Sequence, residues 1–127
     1  MAQDKRLLKY ADRYSALKAE LQTIGFISQG SVQTRRLACG NMGCRCHQDP
    51  KHRHGPYHYW TRKLRGKTVG QKLTDADLSL YEEWIDNNRK LQRILREMRS
   101  VSARALALTT GKRFREVLRV SPCSFIN

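Results

Sequence analysis

Residues 39–60 read CGNMGCRCHQDPKHRHGPYHYW. Three of the four cysteines and all four histidines of the chain fall inside this stretch. The chain has no apolar run of signal-peptide or membrane-spanning length, so it is expected to be cytosolic. Clustered cysteines in that setting read as metal ligands and not as disulfides. Cys39-x4-Cys44-x-Cys46-x7-His54 supplies three thiolates and one imidazole, the complement that a tetrahedral structural Zn2+ takes. Four protein ligands close the site, so the metal holds structure and does no chemistry. The Cys44-x-Cys46 spacing is tighter than the usual two-residue spacing. Gly40 and Gly43 are expected to permit the turn between Cys39 and Cys44. His54 abuts Gly55-Pro56 at the start of a strand and is the expected fourth ligand. His52 and His47 are alternatives, although His47 adjoins Cys46 and would strain the chelate, while His58 lies within the strand. Free thiols packed as small apolar groups, or a redox role, are the competing readings. Cys123 is far from the cluster and reads as an ordinary thiol.

Working outward, Ser31–Ala38 reads as a strand that enters the loop, with Arg35 and Arg36 on opposite faces. Tyr57–Lys63 reads as an aromatic strand, Leu64-Arg65-Gly66 as a turn and Lys67–Leu73 as the return strand. Together these predict a three-stranded antiparallel sheet. Alternation separates Tyr57, Tyr59, Thr61 and Lys63 from His58, Trp60 and Arg62; Tyr57 and Tyr59 read as core or as stacking platforms, with core the expectation.

The flanks are helical. Leu7, Tyr10, Tyr14, Leu17, Leu21 and Ile24 recur at alternating spacings of three and four, with Gly25 as the expected stop. Thr74, followed by Asp75 and Asp77, caps a second helix. Its apolar stripe runs from Leu78 to Val101 and carries one polar member, Asn88, of the kind that sets register on a helical seam. This helix is expected to pair with the first, with a second copy of itself, or with both. The fold class is therefore α+β: an N-terminal helix, a small sheet with a zinc-stabilised loop, and a long helix forming a helical hairpin or coiled coil. The corresponding boundaries are 1–25, 26–73, 74–108 and a basic tail, 109–127.

Charge points to the partner. Net charge is +14, with 25 basic and 11 acidic side chains. Residues 31–73 hold ten Lys and Arg against the single Asp49, whereas 74–100 is nearly balanced. A solvated surface mixes signs more evenly, and a concentrated basic surface releases counterions from a polyanion. Nucleic acid is the expected partner, with duplex DNA favoured over RNA. An acidic protein or an anionic membrane is the lesser alternative. Arg35, Arg36, Arg45, Lys51, Arg53, Arg62, Lys63, Arg65, Lys67 and Lys72 are the candidate contacts. Asp49 is the one acid near the cluster, and no nucleophile-elbow, zincin, P-loop or deaminase pattern is present. The chain is therefore expected not to be an enzyme.

RRLACGNMGCRCHQDPKHRHGPYHYWTRKLRGKTVGQKLT (35–74), with WIDNNRKLQRIL (84–95), resembles a family of small bacterial proteins of unknown function. The resemblance extends over about residues 28–98. It implies metal ligands at Cys39, Cys44, Cys46 and His54. Members of that family tend to lie near mobile elements, which implies a role beside a recombinase, transposase or nuclease. At the level of fold alone, the hairpin is also similar to the three-stranded arm-binding domains of tyrosine recombinases. Three roles compete: a DNA-binding accessory factor, dimeric through its helices; an interaction module docking by its coiled coil; and an RNA-binding protein.

Overall fold

The computed structural model describes residues 4–114 and Val117. The architecture is α+β, in the order α1 (Lys5–Leu21), β1 (Ser31–Leu37), β2 (His54–Leu64), β3 (Lys67–Leu73) and α2 (Asp75–Thr110). Most of the tail expected at 109–127, including Cys123, lies outside the described residues. Two compact units form. One is Gly25–Asn88; the other joins the residues up to Ile24 with those from Arg89. The long helix contributes to both units, because the two halves of its stripe have different partners.

In the helical unit, Leu7, Tyr10, Tyr14, Leu21 and Ile24 are half-buried and Leu17 and Ile94 are fully buried. Polar contacts set the direction. Lys90 Nζ reaches Thr23 Oγ1 at 3.5 Å. Arg93 pairs with Glu20 and Glu97, and Arg13 pairs with Glu97 at 2.7 Å. Rising numbers on α1 meet falling numbers on α2, so the pair is an antiparallel hairpin. Exposed ion pairs contribute only about 0–1 kcal/mol each, so the buried stripe stabilises the hairpin and the charges select its register. Asp4 caps α1 by accepting the Arg6 backbone N–H at 2.9 Å. The helix ends earlier than the expected stop: Gln22, in helical conformation, is the cap. Gly25 has no left-handed φ, and a Cβ there would meet Asn87 Nδ2 at 3.3 Å.

In the other unit the strand order is β1-β2-β3, antiparallel throughout. Arg65 and Gly66 have φ of 51° and 81°. Positive φ at both central positions is the two-residue turn whose twist matches a right-handed hairpin. The β1–β2 register shifts between Arg35 and Leu37, which pair with Tyr57 and His54. The extra residue therefore lies on β2, a bulge at Gly55-Pro56. Gly55 has φ 118°, and a Cβ there would come within 2.9 Å of the Arg35 carbonyl oxygen. Only glycine fits so close an approach.

Trp60 stacks on Tyr81 of α2 with ring centroids 5.1 Å apart, and its Nε1 donates to the Gln29 carbonyl at 2.8 Å. Leu73 and Ile85 are buried in the same unit. Thr74 Oγ1 caps α2, accepting from the Asp77 N–H at 3.2 Å. The segment before β1 is tied to α2: Ser28 N–H donates to the Trp84 carbonyl at 3.0 Å, and Asn87 Nδ2 donates to the Phe26 carbonyl at 2.8 Å. Asn87, and not the neighbouring Asn88, makes this polar contact. Because strand side chains alternate, His58, Trp60 and Arg62 share the face turned to α2, with Val32 paired to Trp60 and Leu73 to His58. Tyr57 and Tyr59 belong to the opposite face. They are half-buried there and not in the core, contrary to the sequence expectation.

A left-handed arginine costs about 1–2 kcal/mol relative to residues that adopt that conformation readily. Arg65→Asn is therefore expected to stabilise the fold by about 0.5–1 kcal/mol, measured as a raised midpoint in urea unfolding with an unchanged m-value.

Candidate metal centre and basic sheet surface

The β1–β2 ladder builds the cluster. Leu37 pairs with His54, so Cys39 leaves the end of β1 beside the first residue of β2. The intervening loop returns through two short 3-10 turns, Arg45–His47 and Pro50–His52. Asn41 shapes the first bend: its Oδ1 accepts the Gly43 N–H at 3.0 Å, and its carbonyl accepts the Cys44 N–H at 3.1 Å. Gly40 and Gly43, expected to permit this bend, have no positive φ. The side-chain turn of Asn41 replaces that need.

The donor atoms of Cys39, Cys44, Cys46 and His54 all lie within 4.8 Å of one another, close enough to hold one metal ion. Cys39 Sγ and Cys46 Sγ are 3.6 Å apart; Cys44 Sγ and His54 Nε2 are 3.4 Å apart. A tetrahedron with metal–sulfur bonds of about 2.3 Å and a metal–nitrogen bond of about 2.05 Å has edges of about 3.8 Å and 3.6 Å. The Cys39–Cys46 and Cys44–His54 pairs lie within about 0.2 Å of those edges. Cys46 is the buried member, 3% exposed, and its sulfur accepts the Cys39 backbone N–H at 3.3 Å.

The other histidines have different partners. His47 Nε2 donates to the Cys39 carbonyl at 2.7 Å. It braces the Cys39 backbone and is not in the donor set. His52 faces Asp49 at 3.7 Å, and the Asp49 carboxylate also accepts the Lys51 N–H at 3.0 Å. His58 Nδ1 meets Thr34 Oγ1 at 2.8 Å, and its Nε2 lies 3.5 Å from Asp75. The cluster also sets the thiols apart. Cys44 is lowered to about 6, first by the Cys46 backbone N–H, then by the His54 imidazole and the neighbouring thiols. At Cys46 the Cys39 N–H favours the thiolate, but burial and the adjacent sulfurs outweigh it, so its thiol is raised. A thiol already inclined to ionise is the better first ligand for a cation.

The ten candidate basic contacts do not share one surface. Arg35, Lys63 and Lys72 lie on the face away from α2, where Arg35 pairs with Tyr57, Lys72 with Tyr59 and Lys63 with Thr68. Arg35 sits over the Tyr59 ring at 5.2 Å and Lys72 over the Tyr57 ring at 4.2 Å. Gln33 joins this face, accepting from Arg35 Nη2 at 2.7 Å. Arg45, Lys51 and Arg53 are exposed on the metal-site loop. Arg36 alternates to the other face, Arg65 occupies the hairpin turn and Lys67 pairs with Leu64 at the hairpin end. Arg62 departs most from expectation. It lies on the helix-facing side, 3.8 Å above Trp60, with its Nη1 buried and unpaired. It is half-buried packing against an indole and not an open phosphate contact. Sequence reasoning preferred the core to a stacking role for Tyr57 and Tyr59, and did not single out Gln33. The signal was available in the cross-strand partners: Tyr59 lies between Gln33 and Lys72, whereas Trp60 has Val32.

Among the described residues, no helix is long and apolar enough to cross a membrane. The family model of a domain of unknown function (DUF6788) matches residues 4–78, more than half of the chain. That span runs from α1 through the loop and sheet into the first turn of α2, beginning earlier and ending sooner than the sequence resemblance. No curated protein and no solved structure matches.

Purified protein is expected to carry one metal ion per chain by elemental analysis. Cys46→Ser, which removes the buried thiolate, loses the ion and the cooperative unfolding of the sheet. His47→Ala, which removes a brace on Cys39, lowers metal affinity about 10-fold in competition with a chromophoric chelator, and His52→Ala leaves it unchanged.

Proposed function

We propose that this chain, which belongs to the DUF6788 family, is a nucleic-acid-binding module whose basic sheet is held in shape by a structural zinc ion. The observation that carries the reading is the sheet face away from α2, where Arg35 and Lys72 lie over the rings of Tyr59 and Tyr57. Cations interleaved with aromatic rings offer phosphate neutralisation and base contact on one surface. The ten Lys and Arg against one Asp in residues 31–73 extend that field around the loop.

Zinc suits the donor set because soft thiolates with one imidazole prefer it, and two of the donor pairs are already close to its tetrahedral edges. Cys39, Cys44, Cys46 and His54 would hold the ion. When bound, the ion supplies a cross-link and no reaction chemistry. The chain's own residues do the rest: Cys46 anchors the loop in the interior, His47 steadies the Cys39 carbonyl, and His54 ties the loop to the edge of the bulge. The role is one of binding and not catalysis. Its setting beside a recombinase, transposase or nuclease of a mobile element rests on the sequence resemblance alone.

A second reading has its own observation. Phe26 is 75% exposed while stacked on Trp84, and Ile27 and Leu80 are also exposed. An apolar patch of this kind suits a protein partner, which would make the basic sheet an aid to affinity.

Fluorescence anisotropy with labelled oligonucleotides over a salt series tests the main reading. Three phosphate contacts, by Arg35, Lys63 and Lys72, imply a loss of roughly 20- to 40-fold between 50 and 200 mM salt. Lys63→Ala is expected to weaken binding to all sequences and to lower the salt slope by about 1, whereas Arg62→Ala changes stability more than affinity. Absence of binding to any nucleic acid at low salt overturns the reading.

A further inference from the structure

We infer that the face of the sheet away from α2 is a stacking platform for single-stranded nucleic acid, gripping unpaired bases and not the groove of a duplex. The inference rests on the nucleic-acid reading above and specifies its ligand.

Strand parity divides the sheet into two faces. Trp60 and Tyr81 commit the His58–Trp60–Arg62 side of β2 to the helix. Tyr57 and Tyr59 are then obliged to project from the other side. That side is open: Gln33, Arg35, Lys63 and Lys72 are all exposed there, and the two tyrosines are half-buried among them. Two half-buried tyrosines ringed by exposed polar and cationic groups are poorly explained as core.

Geometry then selects the ligand. Residues two apart on a strand stand about 6.6 Å apart. Bases in a helix rise about 3.4 Å per step, so the rings are spaced at twice that rise. A duplex presents bases at the shorter spacing with their faces already stacked on one another. It has no free base face to offer a flat sheet. A single strand is extensible, and its bases can be splayed so that one rests on each ring.

The cations are placed for the same strand. Arg35 lies over Tyr59 although its backbone partner is Tyr57; Lys72 lies over Tyr57 although its partner is Tyr59. Each cation reaches diagonally across the sheet to cover one face of its ring, so a base that stacks on that face takes the cation's place and frees it for the adjoining phosphate. A backbone crossing the sheet finds phosphate partners on each side of the bases. Gln33, already fixed by Arg35, adds an amide within reach of a base edge. The platform reads bases through π-faces, which every base has, so it is tolerant of sequence. It uses unpaired bases on a phosphate backbone, a chemistry that DNA and RNA strands share.

The experiment measures affinity for four probes with the metal-loaded chain: a single DNA strand, the same sequence as RNA, its duplex, and an abasic strand of equal length. A single strand is expected to bind at least 10-fold more tightly than duplex or abasic strand. The comparison of the DNA and RNA strands identifies the source. Tyr57→Leu and Tyr59→Leu are each expected to lower single-strand affinity roughly 5- to 150-fold. They should leave the weaker duplex binding unchanged, and Tyr57→Phe and Tyr59→Phe should retain single-strand affinity. Circular dichroism melts accompany each variant. Should a Leu variant unfold, the Phe variants and the abasic probe decide the question. Duplex or abasic binding as tight as single-strand binding overturns the platform while leaving nucleic-acid binding intact. Silence of all four probes at low salt overturns both.

Discussion

The packing of Trp60 against Tyr81 sets the parity of the whole sheet. Side chains on a strand alternate, so assigning one residue to the helix assigns all the others. With Trp60 inward, His58 meets Asp75 and Leu73 is buried. Tyr57, Tyr59, Arg35 and Lys72 are turned outward together. A slip of one residue would turn those cations toward α2 and leave the indole in water, losing its contact with Tyr81. The surface that carries the proposed function is thus a consequence of how one aromatic ring is buried.

The cysteine–histidine cluster solves a different problem. Residues 38–53 join two paired strands through a loop far longer than a hairpin needs, and few apolar side chains are available to order it. Long loops with little core of their own are ordered by cross-links, because the entropy of closing them is otherwise unrecovered. The Leu37–His54 pair at the end of the ladder brings the first and last donors of the loop together, and Cys46 turns in from the middle. Local polar turns at Asn41 and Asp49 do the bending. The bulge at Gly55-Pro56 then separates His54, at the start of β2, from Tyr57 three positions on.

Much of this was legible in the residues. Helix periodicity placed α1 and α2 to within a few positions, the Thr74 cap marked a helix start, and the turn at Gly66 marked a hairpin. The grouping of Cys39, Cys44, Cys46 and His54 was legible because soft donors at short spacing have few other uses in a sequence of this kind. Gly25 and the Gly40–Gly43 pair were misread for one reason. Glycine permits a left-handed turn but does not demand one, and Asn41 and Gln22 met those needs instead. The two-unit division was not legible either, since one unbroken stripe on α2 does not say that its halves have different partners.

What the sequence determined by itself was chemistry and period: a soft four-donor set, an alternating aromatic strand, an amphipathic pair of helices and a concentration of positive charge. Those properties are local, and they follow from side-chain type and spacing. Only the tertiary structure decided which face of β2 is covered. The two alternating sets each hold aromatic and cationic residues, so neither is the apolar set on composition. The choice between them is made by a cross-strand and helix contact among residues distant in the chain. That contact put Trp60 and Arg62 inside and left Tyr57, Tyr59, Arg35 and Lys72 on the outside.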